Sequence, residues 1–216
     1  MIPKTIHQVW LGKKDIPNEF IIFVRKWKLM YPDFNYILWN DDSVKSKNII
    51  PDSIMEFYED TSFRIAFKAD ILRYHVLRKY GGVYVDMDTE PLRRMDDYIF
   101  DLNFFSGIQN NQEVAIGIFG NEIDNELMNN VCNSLKENIN HYLSSDLKKT
   151  QIQFFTGPTY FNRICKQYFN KDGYKFFEPK YFYPYWFSEK NRRNEDFKIT
   201  CPDAYSVHHW AASWRD

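Results

Sequence analysis

The chain has 216 residues, with 28 Lys and Arg against 29 Asp and Glu, a formal net charge of −1 and 44% hydrophobic residues. That length suits one sizeable core and is short for two domains, so one domain over residues 1–216 is expected. The even charge leaves no basic footprint for nucleic acid, no apolar stretch approaches the ~20 residues that span a bilayer, and no charged leader precedes an apolar run at the start.

The elements follow in chain order. KTIHQVWLG (4–12) predicts a first strand that stops at Gly12. Residues 18–32 predict a helix ending near Pro32, its stripe being Phe20, Phe23, Val24, Trp27 and Tyr31. FNYILWND (34–41) predicts a second strand running into Asn40. Strand–helix–strand is the opening of a nucleotide-binding α/β layout. A short helix is expected around 52–60. A longer one over 62–80 can be capped by Thr61 or Ser62 and ended by Gly81-Gly82. Its buried stripe is Ile65, Ala69, Leu72, Val76 and Tyr80. Asp70 and Arg73 lie at the edge of that stripe, half inside, as an i,i+3 pair. The plain reading of such a pair is a weak surface salt bridge.

VYVDMD (83–88) follows the double glycine. With period two, Val83, Val85 and Met87 face a core, while Tyr84, Asp86 and Asp88 share the other face. Thr89-Glu90-Pro91 closes the strand. Two aligned carboxylates repel each other unless something positive sits between them. Carboxylate oxygens suit Mg²⁺ or Mn²⁺, and the ends of strands in α/β sheets are where ligands bind. The alternative is a pair of solvated aspartates in a turn.

The second half is less regular. Strands are expected at 103–108 and 114–120, a helix at 124–143 with Leu127, Val131, Leu135 and Ile139 inward, and another at 156–169 entered through Gly157-Pro158. Residues 175–187 are aromatic and broken by prolines, so edge strands and loops are expected there. Cys132, Cys165 and Cys201 are odd in number and far apart, which reads as reduced core thiols in a reducing compartment. Aromatics reach 19%, chiefly as a bulky core and otherwise as ring faces for sugars or bases. In AYSVHHWAASWRD (204–216), His208 and His209 point to opposite sides of a strand, so only one of them can join Asp86 and Asp88.

IPKTIHQVWLG, FKADILRYHVLRKYGGVYVDMD, TGP and HHWAASW, in that order, resemble glycosyltransferase family 32, whose members include fungal mannosyltransferases, bacterial polysaccharide-synthesis transferases and, more distantly, glucosylating toxin domains. The resemblance runs from residue 2 to 214 and is most specific from Ala69 to Asp88. It implies a GT-A type nucleotide-binding α/β sandwich, a mixed central sheet flanked by helices. It also implies retaining transfer of a hexose or HexNAc from a nucleotide sugar, UDP-linked in preference to GDP-linked. By that resemblance Asp88 is a direct ligand of Mn²⁺ or Mg²⁺, Asp86 bridges ribose and metal, and His208 is a third ligand. Tyr84 lies near the donor, Asp70 bonds donor sugar hydroxyls, and Arg73 holds sugar or diphosphate. Trp10 packs on the base beside Val9, Asn40 touches the nucleotide, and Ser213 and Trp214 close over the diphosphate. The acceptor expected is a glycan or lipid-linked saccharide, in a cytoplasmic setting, with a peripheral contact to the inner membrane face through residues 189–194 and exposed aromatics.

Two rivals stand beside this. VYVDMDT fits the strand-end D-x-D-x-T of haloacid-dehalogenase-like phosphatases, where the first aspartate is a nucleophile, although that motif usually opens its domain. The other rival is a glycan-binding or scaffold protein on a degenerate transferase fold.

Overall fold

The computed structural model describes residues 1–109 and 112–211. The chain opens with β1 (Thr5–Val9), α1 (Asn18–Met30) and β2 (Asn35–Trp39), as the periodicity predicts. Then come α2 (Asp41–Lys47), α3 (Asp52–Glu59), α4 (Ile65–Tyr80), β3 (Gly82–Val85) and β4 (Thr89–Pro91). α5 (Tyr98–Asp101) leads to β5 (Phe104–Ile108) and β6 (Val114–Asn121). α6 (Glu126–Leu143), α7 (Ile152–Phe155) and α8 (Pro158–Cys165) follow, and then β7 (Tyr174–Phe177), α9 (Pro179–Phe182), α10 (Phe197–Thr200) and β8 (Ser206–His208).

Among the described residues, six strands form one mixed sheet in the order β2-β1-β3-β6-β5-β7. β1 runs parallel to β2 and β3, β6 is antiparallel to both β3 and β5, and β7 lies parallel to β5 at the edge. Each face carries its own apolar cluster. Trp39, Phe67, Tyr74, Tyr84 and Phe119 pack on one, and Ile6, Trp27, Val83, Val85 and Phe105 on the other. The expected alternation along β3 therefore holds, but both faces of the strand are core. Tyr84 is buried beneath α4 rather than facing an open side.

α4 differs from its predicted form in two ways. It begins three residues later than Ser62, whose N–H and hydroxyl both go to Asp60, and Arg64 at its cap makes no side-chain capping bond. It also has no single buried stripe. Every residue from Asp70 to Leu77 is buried while Ile65 is exposed, because the sheet lies against one side of the helix and α3, α6 and α7 against the other. Gly81 and Gly82 end it with φ of +60° and +93°. A Cβ at Gly82 would sit 2.6 Å from the Thr5 carbonyl oxygen, so only glycine lets β3 start beside β1.

β3 stops at Val85, not at Asp88. Asp86 to Asp88 form a turn closed by the Thr89 N–H on the Asp86 carbonyl, 3.0 Å. Thr89–Pro91 then does more than end a strand: it pairs antiparallel with β8, Thr89 opposite His208. The helix predicted over 156–169 and entered through Gly157-Pro158 opens at Pro158, runs as α8 to Cys165 and continues as a 3-10 turn to Tyr168. All three cysteines are free thiols. Among the described residues no helix is long and apolar enough to cross a membrane.

Candidate active site

The carboxylates sit where β3 ends and the tail returns. Asp86 Oδ1 accepts from the Tyr84 hydroxyl at 2.8 Å and lies 3.2 Å from Arg73 Nη1. Its Oδ2 is left facing His208 Nε2 at 3.4 Å. Asp88 Oδ2 accepts the Ala211 N–H at 2.8 Å, and its Oδ1 faces the same His208 nitrogen at 3.2 Å. One ligand atom from each of the three residues lies within 4.8 Å of the others. Each aspartate is thus held by one oxygen and offers the other. That donor set, two carboxylate oxygens and an imidazole nitrogen, fits Mn²⁺ or Mg²⁺.

His208 reaches this point through the β4–β8 pairing, and the His209 N–H bonds to the Asp88 carbonyl at 2.9 Å. His209 itself turns away, its Nε2 on Glu90 at 2.9 Å and its ring stacked on Phe23. The Trp210 N–H points at His208 Nδ1 at 3.3 Å, so in the neutral ring the proton sits on Nε2, between the two acids. A cation binding at Nε2 would move that proton to Nδ1 and give up the Trp210 contact. Burial alone pushes His208 down, but the charges of Asp88 and Asp86 outweigh it and hold its pKa above the ordinary value. For Asp86, burial pushes up, and Arg73, His208 and the Tyr84 hydroxyl more than reverse it.

Behind the acids, Asp70 and Arg73 are not a surface ion pair. Asp70 is 4% exposed and Arg73 6%. Arg73 Nη2 lies 3.2 Å from Asp70 Oδ1, Nη1 donates to the Ile116 carbonyl at 2.7 Å, and the guanidinium lies over the Tyr84 ring at 4.5 Å. One fork therefore ties α4 to Asp86 and to β6, and a single ammonium could not make these contacts together. Asp70 Oδ2 accepts from the Thr156 hydroxyl at 3.0 Å. Burial raises the Asp70 pKa to about 6, against the pull of Arg73 and Thr156.

These groups line a cleft of about 1140 Å³, large for a small-molecule site. Val9 and Trp10 form part of one wall, and Tyr84, Asp86, Asp88 and His208 part of its floor. The Trp10 ring stands edge-on to Phe20, its N–H on the Lys14 carbonyl. Asn40 is not in the lining. Its side chain is spent capping α2 in a reciprocal bond with Ser43, which corrects its reading as a nucleotide contact. Ser213 and Trp214 lie outside the described residues. Arg192 makes a two-point contact with Glu195, and Arg193 pairs with Glu19.

Sequence reasoning missed several cleft residues. Thr156 belongs to the TGP stretch, but nothing local says that it bonds Asp70. Gly117 faces the acid cluster, where a Cβ would lie 3.0 Å from Asp86 Oδ2 and 3.1 Å from His208 Cδ2. A glycine inside the strand pattern VAIGIFG was the available signal, since it marks close approach. Tyr183, whose hydroxyl accepts the Ile118 N–H at 3.0 Å, had no signal beyond its aromatic neighbours.

A mixed six-stranded sheet, an acid pair just past a central strand, and a buried Asp–Arg pair behind it make up a GT-A type fold. Residues 17–105 match the glycosyltransferase sugar-binding region containing DXD motif, and Asp86-Met87-Asp88 is the D-x-D within that match. Inositol phosphoceramide mannosyltransferase 3 of Schizosaccharomyces pombe is 35% identical over 97 residues, 44% of this chain and 26% of that protein. This chain therefore spans about a quarter of that relative's length. An uncharacterized glycosyltransferase of Acanthamoeba polyphaga mimivirus is 26% identical over 229 residues, 99% of this chain and 84% of that protein. The glycosyltransferase domain of the YGT toxin shares the fold, with a TM-score of 0.63 ligand-free and 0.57 UDP-bound, at 12% and 13% identity. Each form covers 81% of this chain and 79% of that one.

Proposed function

We propose that this chain moves a hexose or HexNAc from a nucleotide sugar to a glycan or lipid-linked hydroxyl, with retention at the anomeric carbon, in polysaccharide or glycoconjugate synthesis. The observation that carries this reading is the convergence of Asp86, Asp88 and His208 on one point of a cleft backed by the buried Asp70–Arg73 pair. A divalent cation held there, Mn²⁺ or Mg²⁺, would neutralise charge on the leaving nucleoside diphosphate. Arg73 adds fixed positive charge where that charge develops, already oriented by Asp70, Asp86 and the Ile116 carbonyl. Val9 and Trp10 receive the base. Ser213 and Trp214 would close the tail over the diphosphate and keep water out.

Asp70 has both oxygens occupied, one by Arg73 and one by Thr156. That suits a group which orients sugar hydroxyls better than one which attacks carbon, and it supports a front-face route to retention. Asp86, held by Tyr84 and Arg73 inside the cleft, is likewise poorly placed as the nucleophile of a phosphatase. The UDP-bound toxin domain of the same fold supports a UDP-sugar donor. The fungal relative, named as an inositol phosphoceramide mannosyltransferase, supports mannose and a lipid-linked acceptor. The free thiols are in keeping with a cytoplasmic setting, and a contact with the inner membrane face remains part of the proposal.

The test is thermal shift and donor hydrolysis across UDP- and GDP-sugars, with Mn²⁺ and with EDTA. Metal-dependent stabilisation by one nucleotide, with slow release of its sugar, is the expected result. No stabilisation by any nucleotide with any metal would overturn the reading.

A further inference from the structure

At the lip of the cleft, beside the acid cluster, three aromatic rings meet. Trp210 lies edge-on to His208 with centroids 4.4 Å apart, Trp186 is 5.0 Å from Trp210, and Phe187 is 4.9 Å from Trp186 and 6.4 Å from Trp210. Their neighbours Tyr183 and Tyr185 are buried at 1% exposure, whereas Phe187 is 46% exposed and the two tryptophans are half-buried. The segment is therefore anchored by its tyrosines and turns its next rings outward, with Phe187, Ser188 and Trp210 in the cleft lining.

The backbone at Trp210 is strained to allow this. Its φ is +53°, a region that bulky side chains rarely adopt. Such strain persists only where the surroundings over-determine it, and it concentrates at functional sites. Here the indole N–H is tied to the Tyr185 carbonyl at 3.1 Å and the ring is packed against Tyr183 and Trp186.

We propose that Trp186, Phe187, Ser188 and Trp210 form a subsite for the ring of a neutral acceptor, a pyranose or cyclitol. This rests on the transferase reading for the word acceptor. The four side chains offer ring faces and one hydroxyl, with no charge among them. The nearby guanidiniums of Arg192 and Arg193 are turned to Glu195 and Glu19. Ring faces beside a hydroxyl match a sugar, which has an apolar C–H face and a polar edge, better than they match an acyl chain, which has no polar edge to satisfy. The location fits as well. Trp210 touches a residue of the acid cluster. A ring stacked at this lip holds a hydroxyl beside the carbon that the diphosphate leaves, which is the positioning a transfer step requires.

The test is saturation-transfer NMR on the full chain with UDP and Mg²⁺, using methyl α-mannopyranoside, methyl β-galactopyranoside and myo-inositol as probes. The expected result is saturation of ring C–H protons for at least one probe. Phe187→Ala and Trp186→Ala should each weaken binding about tenfold, and Phe187→Tyr and Trp186→Phe should restore it. Circular dichroism checks that each variant is folded. Absence of signal for every probe with the wild-type chain would overturn the proposal, and so would alanine variants that bind like wild type. Binding to phosphatidylcholine vesicles that depends on Phe187, with no pyranoside signal, would reassign the lip to lipid. Nucleotide-sugar hydrolysis by the wild-type chain is scored separately. Its failure removes the transferase reading and leaves the ring site to be judged by NMR.

Discussion

The two halves of the site are held in different ways. Asp70, Arg73, Tyr84 and Asp86 come from one continuous stretch and lock one another inside the core through the guanidinium fork, the Tyr84 hydroxyl and the Thr156 hydroxyl. His208 to Ala211 arrive from the far end of the chain on a three-residue strand. They are tied down by pairing with another three-residue strand and by N–H groups on the Asp88 carbonyl and carboxylate. Fixed charge is placed where the surroundings are rigid and dry. The other half is assembled from across the chain, with His209 also bonded to Glu90 and the Trp210 indole to the Tyr185 carbonyl.

Asp88 joins the two halves, so its loss should cost most. Asp88→Ala removes an oxygen proposed to hold the metal, and the acceptor for Ala211, and turnover should fall about a thousandfold or more. Near wild-type rates in a donor-hydrolysis assay would sink the metal assignment. Arg73→Lys tests the rigid half alone. It keeps the charge but not the fork, so Asp70, Asp86 and the Ile116 carbonyl cannot all be served. A loss of about a hundredfold in turnover is expected, with roughly 3 kcal/mol of stability by urea unfolding. An unchanged rate would return the residue to a structural ion pair. Gly117→Ala works at the seam, since its Cβ would crowd both Asp86 and His208 without altering any charge. The half-saturating Mn²⁺ concentration should rise about tenfold while base binding is retained. An equal loss of nucleotide binding without metal would mean general disruption.

The same division decides what could be read from the sequence. Helical spacing, the double glycine and period-two alternation are local signals, and they placed Asp70, Arg73, Tyr84 and Asp86 correctly relative to one another. What they understated was burial, because a stripe analysis assumes that one side of α4 is open and α6 with α7 close it. The tail was harder. That His208 faces the acids while His209 faces Glu90 follows from the β4–β8 pairing, a ladder of three residues between segments more than a hundred positions apart. No period or propensity announces so short a pairing. Asn40 shows the opposite error: an Asn after a strand suggested a ligand contact, and it was simultaneously the best N-cap available to α2.

The smallest expected effect concerns His7, which lies beneath the start of the rigid half. Its Nε2 bonds the Gly81 carbonyl at 3.0 Å, and its Nδ1 receives the Trp39 indole N–H at 3.1 Å. The ring is neutral in this arrangement, because a proton on Nδ1 would oppose one N–H to another. Burial lowers its pKa to about 4, with the Gly81 carbonyl working weakly the other way. A depressed folded-state pKa gives stability that is complete above the unfolded value near 6.5 and is lost as pH falls toward 4. Lowering the pH from 7.5 to 5.5 should therefore cost about 1 kcal/mol through this residue. Urea unfolding of wild type and His7→Gln at both pH values isolates the contribution, since other titrating groups are common to the two. His208, less deeply buried and facing two carboxylates, is shifted the opposite way. A pH slope in wild type no steeper than in His7→Gln would show that His7 does not contribute.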